Sequence, residues 1–447
     1  MRSPPLAFSA LLAAQLGDDA PAQVEDGRWL RAYVARGCPH GEPIVLSLGE
    51  AWCGPPRKLL DGIVDAPAWT HGYQLSAHGL PRLRSALKPY LGRPYELDGD
   101  QLDRLRIAVS WSGTRNAMAD FGRLVRRGDR LADGRIPVVL APAPGWDYAG
   151  VFEPLGFETA FFPLSPERGF RPDVTAVERE VGKLRVAHDR RLALVVVNAQ
   201  HNPTGVDWGE PFVTALVELA LEEGAALLVD DAHFAFQDPA ERPTATVHLL
   251  CERLAASPRR ARVPWLVTRS LGKEFDCNGW AIGALVGEPE VIDPLVRRVA
   301  QEHQYNCGGA QQWALARWLE SAAADDYLAV KRAGYARNRR AILEALVNDL
   351  GYPPARVHAG DGGPFLLAPT PEAYARWPDG TTRFRRACLE RTGVIFSDAW
   401  PLARITEQHS SLPYVRVFLG HPGPVVDDAF ARLRDAGFAY DAELPAG

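Results

Sequence analysis

The sequence lacks the features that mark several large classes of protein. Its 447 residues carry 50 lysines and arginines against 55 aspartates and glutamates, so no basic excess is present for nucleic-acid binding. No apolar run has the length needed to span a bilayer. Nucleic-acid and membrane partners are therefore not expected.

Cysteine is also scarce, and its spacing does not indicate metal binding. The six cysteines form neither a CxxC pair nor a cluster with metal-ligand spacing, so no metal site is predicted. Scattered cysteines in a long chain are typical of a reducing compartment, and we expect a cytoplasmic protein. Residues 5–14 loosely resemble a signal peptide, but one preceding arginine is a weak basic region, which favours a short amphipathic or surface helix.

Short apolar runs alternate with helical patterns through the middle of the chain. Because continuous apolar runs have both faces covered, they predict a mostly parallel sheet between helix layers, an α/β fold. Strands are predicted at 107–110, 136–140, 192–197, 226–229 and 265–268, and helices at 115–126, 173–183 and 211–223.

The pattern changes after about residue 302. A long helical segment at 309–349 precedes shorter apolar runs, which is typical of a smaller α+β unit. Since chain ends often pack together, the N-terminal stretch is expected to join this unit. We predict an N-terminal segment (1–75), a large domain (76–305) and a small C-terminal domain (306–447).

One lysine stands in an unusual place for that residue. The segment TRSLGK at 268–273 puts Lys273 in a loop directly after a predicted buried strand, close to several glycines. Open α/β sheets bind ligands at the carboxyl ends of their strands. A lysine shielded there can be uncharged and nucleophilic, which covalent bonding to a carbonyl requires.

Polar residues follow two other predicted strands. HNPTG at 201–205 comes after the strand that ends at Val197, and taken alone it also suits a simple turn. Asp230 and Asp231 end the strand at 226–229, where a buried carboxylate requires a cationic partner. One of them could cap the backbone while the other binds a protonated heterocycle.

These three motifs, in this order, resemble the class I/II aminotransferases, which are fold type I enzymes dependent on pyridoxal 5'-phosphate (PLP). The resemblance runs from about Leu46 to Leu419 and implies a large domain with a mostly parallel sheet plus a smaller α+β domain. It implies that Lys273 binds PLP covalently and moves the proton at the substrate Cα. It further implies that Asp230 pairs with the pyridine nitrogen, and that Asn202 bonds the ring oxygen.

The resemblance implies further binding roles. For the phosphate it implies Ser112, Gly113, Thr114 and Ser270 from this chain and Tyr73 from a neighbouring copy, which makes the protein a homodimer with shared sites. For the ring face it implies Trp146, which also borders the substrate. For the substrate α-carboxylate it implies Arg416 and Gly49, beside Asn202.

The chain departs from the family pattern at three positions. Ala281 stands eight residues after the lysine, where an arginine usually clamps the phosphate, and we expect Arg269 or Arg115 to replace it. His233 stands where a tyrosine usually donates to the ring oxygen; histidine can also donate, but it titrates near neutral pH. Gly272 replaces a common second serine.

The reaction type stays open between alternatives. Transamination is the first, on an α-amino acid substrate. The second is elimination, replacement or cyclisation at Cβ or Cγ, for example on S-adenosylmethionine or an arginine-like amino acid in specialised metabolite biosynthesis. A PLP-binding regulator with an N-terminal DNA-binding domain is disfavoured, because the stretch before Leu46 is short and not basic.

One acidic residue bears on substrate choice. Glu302 lies in a region where dicarboxylate-specific relatives supply an arginine from the partner chain. An acidic residue at this position suggests that the substrate side chain is neutral or cationic. The simpler alternative is that Glu302 is a solvated surface residue.

Overall fold

The computed structural model describes residues 7–19, 24–50, 52–128, 131, 133–258, 263–400 and 412–442. Eleven strands lie within these ranges. They are β1 (Ile44–Leu46), β2 (Arg106–Ser110), β3 (Ile136–Ala143), β4 (Glu158–Pro163), β5 (Arg190–Val197), β6 (Ala226–Asp230), β7 (Trp265–Arg269), β8 (Gly283–Gly287), β9 (Phe365–Pro369), β10 (Val394–Asp398) and β11 (Tyr414–Phe418).

The α-helices of the described ranges surround these strands. They are α1 (Phe8–Leu16), α2 (Val24–Ala35), α3 (Arg57–Val64), α4 (Pro81–Gly92), α5 (Gly99–Arg104), α6 (Gly113–Arg126), α7 (Tyr148–Phe152), α8 (Val174–Val186), α9 (Glu210–Glu223), α10 (Thr246–Ala256), α11 (Leu271–Glu274), α12 (Pro289–Pro294), α13 (Gly309–Leu319), α14 (Ala323–Glu344), α15 (Glu372–Ala375), α16 (Gly380–Thr392) and α17 (Gly423–Asp435). None of the helices in this part of the chain combines the length and apolar character needed to cross a bilayer.

The larger sheet has seven strands in the order β2-β8-β7-β6-β5-β3-β4. All neighbours are parallel except those of β8, which runs antiparallel to both β2 and β7. Both faces of this sheet are covered, as β5 shows: Val195 and Val197 belong to one apolar cluster, and Leu194 and Val196 to another. The prediction of an α/β fold with a mostly parallel sheet is confirmed.

The smaller sheet has four strands in the order β1-β10-β11-β9. The pairing of β1 with β10 is parallel, with Ile44 opposite Val394, so the N-terminal segment forms the edge of the C-terminal sheet. The remaining pairs are antiparallel. This arrangement brings residues before 50 close to β11 and to the residues that it carries.

Local predictions agree with the structure for the long elements. The five predicted strands and three predicted helices are present, and α9 ends at Gly224 in the left-handed conformation expected of a C-cap. The segment 309–349 divides into α13, α14 and a π-helical turn at Ala345–Asp349. The helix expected near the N terminus is α1, which has no buried side chain. Residues 1–6 of that stretch lie outside the described residues.

Candidate active site

Three chemically different side chains follow neighbouring strands of the large sheet. Asp230 ends β6, Lys273 lies in α11 directly after β7, and Asn202 lies in the loop after β5. Because β5, β6 and β7 are adjacent and parallel, their carboxyl ends share one edge of the sheet. The structure therefore brings these residues to the place where open α/β sheets bind ligands.

Asp230 is buried and held by several hydrogen bonds. Its carboxylate accepts from the Tyr148 hydroxyl at 2.9 Å and from the Ala232 N–H at 3.2 Å. Its carbonyl accepts from the Asn198 side chain at 2.6 Å. Burial raises the pKa of Asp230, whereas the nearby Lys273 and the bond from Tyr148 lower it. These bonds fix the carboxylate in one orientation.

Lys273 is placed by the first turn of α11. Ser270 is the N-cap of this helix, and its hydroxyl accepts from the Lys273 N–H at 3.3 Å. Burial lowers the pKa of the Lys273 amine, Asp230 raises it, and Arg416 lowers it further. Since only the neutral amine is nucleophilic, a lowered pKa suits a lysine that bonds covalently to a carbonyl.

Arg416 points from β11 of the small sheet toward this group. Its Nη1 donates to Asn202 Oδ1 at 3.0 Å, and its Nη2 donates to the Ser47 carbonyl at 3.1 Å. The guanidinium carbon lies 4.2 Å from the centre of the Phe365 ring. Burial lowers the pKa of Arg416 to about 10, so the side chain remains cationic at neutral pH. A planar cation held in this way is suited to a carboxylate.

The N-terminal segment approaches Arg416 and the lysine loop. A Cβ on Gly49 would lie 3.2 Å from the Phe365 ring, which itself covers Arg416, so a larger residue would crowd that ring. The next residue, Glu50, accepts a 2.6 Å hydrogen bond from the Asn278 side chain. Gly49 is thereby placed between the small sheet and the loop that follows Lys273.

The N terminus of α6 offers an anion site nearby. Ser112 is its N-cap residue, and Gly113 has φ +80°, a conformation that favours glycine. The Gly113 N–H donates to the Ala281 carbonyl at 2.6 Å. The following N–H groups of the first turn, including that of Thr114, have no acceptor within a helix, and they favour an anion.

Arg269 does not serve the phosphate in this arrangement. It is 1% exposed, and its Nε donates to Glu274 Oε1 at 2.6 Å. Three aromatic rings surround the guanidinium at 5.0 to 5.4 Å, those of Tyr90, Tyr95 and Phe234. A buried carboxylate has taken up its charge, so the prediction that Arg269 binds the phosphate is corrected.

Arg115 lies where a phosphate ligand could use it. It belongs to the first turn of α6, is about half exposed, and forms an ion pair with Asp147. Its guanidinium carbon lies 4.7 Å from the centre of the Trp146 ring, an arrangement typical of a cation–π contact. The Trp146 ring also meets the Tyr148 ring edge-on at 5.5 Å, which links it to Asp230.

His233 provides the test of whether the site fits the cofactor that the resemblance implies. The side chain is buried against Phe236 and Phe365, and within the described ranges neither ring nitrogen has a hydrogen-bond partner. Burial lowers the pKa of His233 well below its usual range, and Lys273 and Arg416 add to this. An unsatisfied buried imidazole is costly unless a bound group completes it. The donors and acceptors present fit PLP.

Two predicted residues lie away from this cluster. Tyr73 is 87% exposed, and its ring centre lies 6.2 Å from that of the exposed Tyr305. Glu302 receives two hydrogen bonds from the Arg127 guanidinium, one of them 2.6 Å long. Because Arg127 already neutralises this carboxylate, Glu302 gives no support to the hypothesis of a cationic substrate side chain. We prefer the simpler interpretation of a surface glutamate.

Two residues that hold the site were not predicted from the sequence, Asn198 and Tyr148. Asn198 donates to Asp230 and accepts from the Asn202 N–H at 3.0 Å. Its position directly after an apolar strand was a usable signal. Tyr148 carried no such signal, because its partner lies 82 residues further along the chain.

The comparisons with known proteins agree with one another. A sequence model of aminotransferase class I and II matches residues 70–407. The Mycobacterium tuberculosis protein named probable N-succinyldiaminopimelate aminotransferase is 29% identical over 347 residues, which are 76% of this chain and 77% of that protein. The LL-diaminopimelate aminotransferase of Desulforudis audaxviator is 26% identical over 88% of this chain and 89% of its own.

Solved structures show the same fold. The aspartate aminotransferase from Thermus thermophilus with maleate has a TM-score of 0.73 at 21% identity, covering 97% of each chain. The family model spans well over half of the chain. The chain belongs to the class I and II aminotransferases, and it is a PLP-dependent enzyme with transferase activity.

Proposed function

We propose that the chain transfers the amino group of an α-amino acid, with Lys273 as the residue that bonds PLP and moves the Cα proton. One observation carries the assignment of residues. Asp230 and Lys273 lie at the carboxyl ends of adjacent parallel strands, and the Arg416 guanidinium reaches the same edge of the sheet by donating to Asn202 Oδ1 at 3.0 Å. The Asp230 carboxylate suits a pyridine nitrogen, and the Arg416 guanidinium suits a substrate carboxylate.

The site divides among the parts of the cofactor. Asp230 would bind the pyridine nitrogen, Asn202 and His233 the ring oxygen, Trp146 the ring face, and Ser112, Gly113, Thr114, Ser270 and Arg115 the phosphate. When bound, PLP supplies an electron sink for the charge that proton removal leaves at Cα. The bond from Tyr148 keeps the Asp230 carboxylate from turning away.

Arg416 would bind the substrate α-carboxylate as a planar fork. Its contacts with Asn202 and the Ser47 carbonyl hold the guanidinium before substrate arrives, so less conformational freedom is lost on binding. Gly49 leaves space beside it. With the carboxylate fixed, the substrate Cα is held near the Lys273 amine, whose lowered pKa lets Nζ accept the proton.

The substrate belongs to amino-acid metabolism, and we propose amino-acid biosynthesis. The relatives' names supply a donor panel: N-succinyldiaminopimelate, LL-diaminopimelate and aspartate. The purified holoenzyme should be mixed with each donor, with no keto acid present. Transamination predicts one keto acid released per site, with the amino group kept on the protein. Release of ammonia or of a side-chain group, with PLP regenerated, would instead favour elimination, replacement or cyclisation.

We also propose a homodimer in which Tyr73 reaches the partner's phosphate site. Tyr73, Leu75, Tyr305 and Trp69 are exposed large apolar side chains, and the rings of Tyr73 and Tyr305 lie 6.2 Å apart, which favours an interface. Mixing Tyr73→Ala with Lys273→Ala protein tests it. Shared sites predict that hybrids regain activity that neither variant has alone, whereas no recovery in verified hybrids would contradict sharing.

The domain boundaries remain proposals of the same kind. We propose the N-terminal segment at 1–75, the large domain at 76–305 and the small domain at 306–447; the pairing of β1 with β10 supports the first. A cytoplasmic location is proposed from the scattered cysteines. Limited proteolysis would test the boundaries, and fractionation of the producing cells would test the location.

A further inference from the structure

The short helix that carries Lys273 leaves two carbonyl groups for outside donors. In α11 the carbonyls of Leu271 and Gly272 accept from the N–H groups of Phe275 and Cys277, at 3.1 and 2.8 Å. The carbonyls of Lys273 and Glu274 accept instead from the Lys331 ammonium, at 2.7 and 3.1 Å. A helix end buried without such a donor is strongly unfavourable.

Lys331 is a buried cation whose three N–H donors each have an acceptor. It is 3% exposed, and its third bond goes to Asp276 Oδ1 at 2.5 Å. Its three N–H donors thus meet three acceptors, and the Phe236 ring lies 5.0 Å away. A buried lysine is costly to desolvate, and a full set of partners offsets this cost.

The residue that anchors the end of α11, Lys331, belongs to a different part of the fold. Lys331 lies on α14, 58 residues along the chain from Lys273. On its other side, α11 is held by the Glu274 carboxylate, which binds Arg269 and the Tyr90 hydroxyl. The backbone of Lys273 is therefore fixed from two directions while its side chain makes neither of these bonds.

We propose that Lys331 is a positioning residue for Lys273. The proposal rests on the proposed function, in which the Lys273 amine must leave the cofactor and return as a proton carrier. A contact with the carbonyl fixes the start of the side chain but leaves Nζ free to move between these positions. An error of about 1 Å in such placement costs on the order of a hundredfold in rate.

Hydrogen exchange of the full-length protein tests the anchor without reference to activity. Lys331→Met removes all three bonds at similar length, and Arg339→Met is the matched control. Arg339 is a buried cation on the same helix that donates to the Ala359 and Gly363 carbonyls, at 3.1 and 2.7 Å. Lys331→Met should raise exchange at 270–276 by roughly tenfold or more, and Arg339→Met should raise it at 359–363 instead.

Covalent attachment of PLP provides the second readout. Each variant is mixed with PLP, reduced with borohydride at intervals, and mapped for the modified lysine. Lys331→Met should slow trapping at Lys273 by roughly tenfold or more, and Arg339→Met should leave its rate within about twofold of the wild type. Should Lys331→Met fail to fold, Lys331→Gln keeps two of the three N–H donors without the charge and should give intermediate values in both measurements.

The outcomes separate the two proposals. Unchanged exchange at 270–276 in Lys331→Met would overturn the anchor. Equal slowing of trapping in both variants would also overturn it, because the effect would then follow from general destabilisation. If the wild type traps no PLP at Lys273, the proposed function fails, and the exchange measurement still decides whether Lys331 holds α11.

Discussion

The hydroxyl of Tyr148 donates a 2.9 Å hydrogen bond to the carboxylate of Asp230, across 82 residues of sequence. Tyr148 also meets Trp146 edge-on, so one residue joins the acid proposed for the pyridine nitrogen to the ring proposed for the cofactor face. Burial raises the pKa of Asp230, and this bond opposes the rise. The carboxylate thus stays available to a cation.

Tyr148→Phe should impair catalysis without unfolding the protein. Loss of one buried hydrogen bond to a charged group costs about 2 kcal/mol, so kcat/KM should fall by roughly tenfold or more. The measurement uses the donor found in the substrate panel. Tyr33→Phe is the control, since it removes a buried hydroxyl that donates to the Gly41 carbonyl at 3.0 Å, away from the site. Equal kcat/KM losses in both variants would argue against a specific role.

Arg115→Ala should weaken the binding of PLP but not that of pyridoxal. If Arg115 contacts the phosphate, its loss should raise the Kd of PLP by roughly tenfold, the scale of a charge-assisted hydrogen bond. Equilibrium titration by absorbance measures both ligands. Arg123→Ala is the control, because Arg123 lies later on α6 and pairs with Asp120 at 2.6 Å. A loss of affinity for both ligands alike would remove Arg115 from the phosphate site.

Arg416→Lys should raise KM for the amino donor far more than it changes cofactor binding. Lysine keeps the charge but loses the fork that binds Asn202 and the Ser47 carbonyl together. We expect kcat/KM to fall by roughly a hundredfold, with the absorbance of bound PLP preserved. Unaltered kcat/KM would show that the substrate carboxylate binds elsewhere.

Asp231→Asn should change how stability depends on pH. Burial raises the pKa of Asp231 to about 7, while an aspartate in the unfolded chain has a pKa of about 4. The folded state therefore binds the Asp231 proton more tightly than the unfolded state does. The stability that this protonation contributes is fully present below the unfolded pKa and is lost as the pH rises to the folded pKa. Asparagine cannot ionise. As the pH rises from about 4 to about 7, the unfolding free energy of the variant should therefore increase relative to that of the wild type, and at higher pH the difference should stay constant.

Urea denaturation at several pH values measures this effect. The difference in unfolding free energy between Asp231→Asn and the wild type is the quantity to plot. A flat difference across the range would mean that Asp231 titrates alike in the folded and unfolded chains. It would contradict the burial argument for this carboxyl group.

The sequence predicted the parts of the site that follow strand ends. Asp230, Asn202 and Lys273 each come after an apolar run, and parallel strands bring such positions to one edge. Contacts between distant residues left no local signal, which is why Tyr148 and Lys331 were missed. Both act on residues far along the chain, and only the folded structure makes them neighbours.

The errors in the prediction have physical reasons as well. Arg269 ends an apolar strand, as a ligand-binding residue would, but it forms an ion pair with the Glu274 carboxylate five residues later. The strand β4 was missed because it is an edge strand of mixed polarity that ends in proline. The strand β8 was missed because its five residues begin and end with glycine and show no periodicity.

Reduction of the purified holoenzyme with borohydride, followed by peptide mapping, tests the central claim most directly. The mass of the reduced cofactor should be found on Lys273, and Lys273→Ala protein should carry none. A label on another lysine, or an equal label in Lys273→Ala protein, would contradict the assignment of this site.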